Sequence, residues 1–130
     1  MIVDTNVLIR LMQGGDRTIE KVRELENQHV PLALSAMTLF ELYHSVERVN
    51  APEERRRRIE TVLDSKPIYP ADGTVMKKAG RLDGRLTGEG REIGIGDTVI
   101  AATALVHEEP VLTENVAHFR RIDELDVESC

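Results

Sequence analysis

Tryptophan is absent from this 130-residue chain, and aromatic residues make up only 3% of it. Any core must therefore be aliphatic, built from Val, Leu, Ile, Ala and Met. The single cysteine, Cys130, is the last residue. It cannot form an internal disulfide, so nothing requires an oxidising compartment, and a terminus that frays is a poor place for a catalytic thiol. No apolar run approaches the ~20 residues that span a bilayer. Met1 to Thr5 lacks a basic region ahead of a long apolar segment, so no signal peptide is expected and the cytoplasm is the expected place. His29, His44, His107 and His118 share no zinc-like spacing and read as non-ligands, with His118, a candidate supporting or substrate-contact residue, the one exception. Gly88, Gly90, Gly94 and Gly96 follow no strand directly, so they form no dinucleotide fingerprint. They read as a loop with freedom to admit substrate.

What is present describes one soluble, globular domain over residues 1–130, at 41% hydrophobic and 31% charged. The formal net charge is −6. An acidic chain is not an obvious nucleic-acid binder, because phosphate contact favours Lys and Arg. A whole-molecule sum still permits a local acidic pocket loaded with cations beside a basic rim. Arg55 to Arg58 is the strongest basic run. Four consecutive helical residues point all round, so a solvated surface paired with Glu53 and Glu54 is the expected reading. Arg85, Arg91 and Arg120 are better placed for substrate contact.

Short apolar runs alternate with helical segments along the whole chain. Met1–Val3, Pro31–Leu34, Pro67–Pro70, Pro110–Leu112 and Leu125–Val127 read as four to five short strands. Helices are expected after Asp4, from Asp16 (a candidate N-cap) to Gln28, and from Ser35 to about Asn50. Two more run from Ala51 and over Gly73 to Leu86. The apolar stretch from Asp97 to Val106 makes another, and Val116 to Arg120 a final turn. This pattern predicts an α/β fold with a mainly parallel sheet. On the helix from Ser35, a 100° wheel puts Leu39, Leu42, Tyr43, Val46 and Val49 on one face. Thr38, Glu41, His44, Ser45 and Arg48 fall on the other.

Ligands of open parallel sheets bind beyond the carboxyl ends of the strands. Asp4 ends the first strand, the Thr113–Glu114–Asn115 turn ends the fourth, and Asp97 opens the helix leading into that strand. Glu41 joins them only if its polar face turns toward the sheet end. Oxygen ligands gathered there repel one another unless a cation neutralises them. Mg²⁺ and Mn²⁺ favour such ligands, and an ion so placed activates water against a phosphodiester. Taken singly, Asp4 and Asp97 also read as helix caps, Glu41 as a solvated residue and Asn115 as a turn former. Leu8, Leu11 and Met12 read as core or as part of a partner groove, with core the default.

Four segments together resemble the motifs of PIN domains: Met1–Ile9, Thr38–Leu42, Gly96–Ala104 and Leu112–Phe119. They occur in the family's order and span essentially the whole chain. The resemblance is to VapC toxins, the PIN ribonucleases of type II toxin–antitoxin pairs. It implies a three-layer α/β/α sandwich, Mg²⁺- or Mn²⁺-dependent endoribonuclease activity, dimerisation and a VapB-like antitoxin partner. By motif position Asp4, Glu41 and Asp97 are the implied acidic metal ligands, with Glu41 either completing the shell or acting as base. Thr5 and Asn6 shape the site around Asp4. Cleavage in that family leaves a 5′-phosphate and a 3′-hydroxyl.

The fourth motif departs from the family. Many relatives carry an acid where Asn115 stands, and often another where His118 stands; here the turn's acid is Glu114. Asn115 is expected to be the site residue by position, and the number of ions is left open. Two other functions compete. A PIN-like module that binds RNA or protein and cuts weakly would suit the Asn115 departure and the acidic charge. A phosphatase of haloacid-dehalogenase type is disfavoured, because Asp4-Thr5-Asn6 lacks the second Asp two residues on.

Overall fold

Neighbouring residues of the first strand face opposite ways. Ile2 packs with Ala33 and Val111 in one apolar cluster, and Val3 packs with Leu34 and Leu112 in another. This is the alternation of strands buried on both faces. The computed structural model describes all 130 residues. Its strands β1 (Ile2–Val3), β2 (Leu34–Ser35), β3 (Ile68–Tyr69), β4 (Val111–Thr113) and β5 (Val127–Ser129) pair only in parallel. A parallel bridge between Ile2 and Ala33 joins the two ladders, so the order across the sheet is β3-β2-β1-β4-β5.

The Val3 face is covered by α1 (Thr5–Met12), α2 (Asp16–Asn27), α3 (Ala36–Val46) and α4 (Pro52–Leu63), through Val7, Leu8, Val22, Leu25, Leu42 and Ile59. The Ile2 face is covered by α5 (Gly73–Gly88), α6 (Ile95–Val106) and α7 (Val116–Phe119). Their contribution is Leu82, Leu86, Ile100, Ala101, Ala104 and Phe119. The layers are therefore α/β/α, as the resemblance implied. Helix α6 is apolar all round because it is enclosed on both sides. Ala101 and Ala104 face the sheet, while Val99 and Ala102 meet Val75 and Ala79 of α5. No helix is long and apolar enough to cross a membrane.

Several expectations need correcting. Helix α6 begins at Ile95, two residues before Asp97, and its N-cap is Gly94 at φ 93°. Asp97 is therefore not the cap; it sits inside the first turn. The glycine-rich loop is shorter than expected, since α5 runs to Gly88 and Gly96 lies within α6. Asp16 is the first residue of α2 rather than its cap, which is Gly15. Helix α3 stops at Val46, and its apolar wheel is rotated: Thr38 is fully buried while Tyr43 and Val49 are exposed. Strand β5 lies two residues beyond its expected place. The Arg55–Arg58 run is the solvated surface expected, with Arg56 on Glu53 and Glu60 and Arg58 on Glu54.

Candidate active site at the carboxyl ends of the strands

Asp4 follows β1 directly and is 3% exposed. It does cap α1, its Oδ1 accepting from the Thr5 backbone N–H at 2.8 Å. Its Oδ2 accepts from the Thr113 hydroxyl at 2.7 Å, across the β1–β4 ladder. Thr113 Oγ1 in turn accepts from the Asn115 N–H at 2.8 Å, which folds the turn after β4 back toward the site.

Glu41 arrives from α3 because that helix turns its Thr38–Glu41 side inward. Residues three apart share one helix face. The Thr5 hydroxyl donates to Glu41 Oε1 at 2.7 Å and lies 3.0 Å from the Thr38 hydroxyl. One hydroxyl has one proton, so Thr38 must be the donor in the second bond. Thr38 thus fixes Thr5, and Thr5 fixes Glu41. The other side of the carboxylate lies against α6: a Cβ built on Gly96 would stand 2.7 Å from Glu41 Oε2. Gly96 is there for close approach, not for loop freedom.

Asp97 faces the same space from α6. Its Oδ2 accepts from Asn115 Nδ2 at 3.4 Å and stands 3.1 Å from His118 Nδ1 on α7. Glu114 points elsewhere. Its carboxylate takes both Nε and Nη2 of Arg10, at 3.3 and 3.4 Å, and the Thr18 hydroxyl at 3.4 Å. The Glu114 N–H donates to Asn6 Oδ1 at 3.4 Å, which is how Asn6 supports the turn. Of the two turn residues, Asn115 is the one placed beside Asp97.

The electrostatics follow from this gathering. Burial, opposed by the Thr113 and Thr5 hydrogen bonds and reinforced by the charges of Asp97 and Glu41, raises the pKa of Asp4 to about 6. Glu41 is also raised, chiefly by burial and further by Asp97, with the Thr5 bond opposing. Three carboxylates from three elements therefore sense one another with no Lys or Arg among them. That donor set suits a cation. The side chains do not form a ready cage, however: no three Asp, Glu, His or Cys groups converge closely enough to enclose an ion by themselves. Of the arginines placed for substrate, Arg85 is tied to Glu124 at 2.7 Å, while Arg120 is exposed.

Thr38, Gly96 and Arg10 were not assigned these parts from the sequence. Thr38 three residues before Glu41, and a glycine immediately before Asp97, were the available signals. Nothing local links Arg10 to Glu114.

Comparison with known proteins places the chain by family and fold. The PIN domain family matches residues 1–125. A ribonuclease named VapC1 of Rickettsia felis is 34% identical, covering 98% of this chain and 93% of that protein. The structure of VapBC-1 from nontypeable Haemophilus influenzae superimposes with a TM-score of 0.86 at 28% identity, covering 98% of this chain and 96% of that one. VapBC-5 of Mycobacterium tuberculosis, a member of the VapBC family of toxin–antitoxin systems, gives a TM-score of 0.69 at 25% identity, over 98% and 94%. This chain belongs to the PIN-domain family and stands among its VapC ribonucleases.

Proposed function

We propose that this chain is a metal-dependent endoribonuclease, the toxin of a VapBC pair restrained by a VapB-like antitoxin. The observation that carries the reading is the gathering of Asp4, Glu41 and Asp97 at one end of the sheet, Glu41 held by Thr5 and packed on Gly96 beside Asp97. The ribonuclease names of its relatives and the VapBC complexes of matching fold support the activity and the partner.

Asp4 and Asp97 are the residues that would hold Mg²⁺ or Mn²⁺. Mg²⁺ commonly binds through one or two carboxylates and keeps several waters, so a looser arrangement than a protein cage suffices. Such an ion supplies an activated water and neutralises charge on the phosphoryl oxygens. The chain's own groups do the rest. Thr113 and the Thr5 N–H orient Asp4, and Asn115 Nδ2 and His118 Nδ1 stand 3.4 and 3.1 Å from Asp97 Oδ2, at the edge of the same space. Glu41 Oε1 is engaged by Thr5. Its Oε2 is thus the oxygen available to take the proton of the attacking water, and its raised pKa makes it a stronger base than an exposed glutamate.

Action in the cytoplasm and a homodimer belong to the same reading. Exposed Met76 and Ile95 line one groove between α5 and α6 and provide apolar surface for a second copy. A second function is favoured by Asn115 and His118, which bring no fixed negative charge: a module that binds RNA or protein and cuts weakly.

The test is cleavage of structured RNA over a Mg²⁺ and Mn²⁺ titration, with Asp97→Asn beside it. The endonuclease reading expects cleavage that needs metal and is lost in the folded variant. Tight RNA binding with no metal-dependent cleavage in the unaltered chain would favour the binding module.

A further inference from the structure

Three polar atoms meet where α6 and α7 face each other. Asn115 Nδ2 lies 2.8 Å from His118 Nδ1 and 3.4 Å from Asp97 Oδ2, and His118 Nδ1 lies 3.1 Å from that same oxygen. No placement of hydrogens satisfies all three pairs. With a hydrogen on Nδ1, the ring donates to Asp97 but confronts the amide hydrogens of Asn115. Without one, it accepts from Asn115 but turns a lone pair on the carboxylate. Turning the amide over leaves a single Nδ1 hydrogen to serve two oxygens.

A cation removes the conflict. With the amide oxygen turned inward and Nδ1 bare, all three groups present lone pairs to the middle of the triangle. The spacing suits it as well. Adjacent donors around an octahedral ion with ~2.1 Å bonds stand about 3.0 Å apart, and the three separations, 2.8, 3.1 and 3.4 Å, bracket that edge. The side chains of Asp97 and His118 are 22% and 39% exposed, so an ion and its remaining waters have access.

We propose that His118 is a direct ligand of the site's divalent cation, through Nδ1, and that this nitrogen makes the site select Mn²⁺ over Mg²⁺. Mg²⁺ is hard and takes oxygen donors, whereas imidazole suits first-row transition ions. The donor set here is carboxylate, amide and imidazole, so the loss of acidic character at residues 115 and 118 is a change of metal preference rather than a loss of the site. This inference rests on the metal-dependent reading above.

The test needs no activity. Mn²⁺ is added to the full-length chain, prepared with ¹⁴N- or ¹⁵N-histidine, and pulsed EPR reads nitrogen coupled to the ion. The expected result is a coupling that changes with the histidine isotope and disappears in His118→Asp. That variant should still bind Mn²⁺ through oxygen, but its preference for Mn²⁺ over Mg²⁺ in competition should fall by about tenfold. If Mn²⁺ binds, is displaced by Asp97→Asn, and shows no histidine coupling in the unaltered chain, the ligand assignment is overturned while the metal-dependent reading stands. If the chain binds no Mn²⁺ at all, both fall.

Discussion

Glu109 precedes β4 at the amino end of the sheet, and Asp4 follows β1 at the carboxyl end. Both are acids largely withdrawn from water. Burial pushes Glu109 upward, but the Met1 ammonium and the Tyr69 hydroxyl outweigh it, and its pKa falls below the ordinary value. Asp4 has two neutral hydrogen-bond donors and two acidic neighbours, and its pKa rises to about 6. One end of the sheet carries its counter-charge within the protein. The other gathers Asp4, Glu41 and Asp97 with no Lys or Arg paired to them, its Arg10 being taken by Glu114. The fold pairs a half-buried acid at one end and leaves a buried one without a counter-charge at the other, at a cost in stability that the proposed cation would relieve.

The sharpest way to break this contrast is to remove charge from the carboxyl end. Asp97→Asn should lower RNA cleavage by about 10²–10³-fold, the scale of losing one preorganised electrostatic group. Circular dichroism should show the fold retained, since Asp97 caps no helix. Gly96→Ala should lower cleavage by about 10–100-fold, because the new methyl displaces the Glu41 carboxylate it would meet at 2.7 Å. Its thermal stability should change far less than its single-turnover rate.

Asp4→Asn separates stability from function. In the metal-free chain the folded state holds the Asp4 proton to about pH 6, against an ordinary value of 3.8. Folding therefore strengthens proton binding. That contribution is fully present below pH 3.8 and is lost as pH rises through 6. At pH 8 the substitution should stabilise the metal-free chain by about 1–3 kcal/mol, two pKa units of relief less some loss of hydrogen bonding. Denaturant melts read the gain, which should shrink toward pH 4, while cleavage is abolished. The smallest effect is expected at Glu114→Gln. It loosens an exposed pair with Arg10 and should leave Mn²⁺ binding, followed by calorimetry, within about threefold.

The sheet was legible because its strands are short apolar runs between polar turns, and residue pairs such as Ile2–Val3 and Val111–Leu112 divide between its faces. Asp4 and Asn115 were legible because they follow strand ends, where ligands of parallel sheets bind, and Asp97 because it is the one acid at the head of an otherwise apolar helix. The orientation of α3 was not. A hydroxyl-bearing Thr38 counts as polar on a helical wheel, yet here it is buried with its hydroxyl bonded to Thr5. The start of α6 was hidden too, since Gly94 caps it by its positive φ and offers no side-chain signal. The choice between Glu114 and Asn115 turned on Arg10, 104 residues away, a pairing that local spacing cannot reveal.

NMR titration of the Asp4 carboxyl carbon, with and without Mg²⁺, reads the unpaired acid itself. The metal-free chain should titrate near pH 6, and saturating Mg²⁺ should carry the transition below the ordinary carboxylate range. A titration at the ordinary value in the metal-free chain, or one that Mg²⁺ leaves unmoved, would contradict a cation site at Asp4.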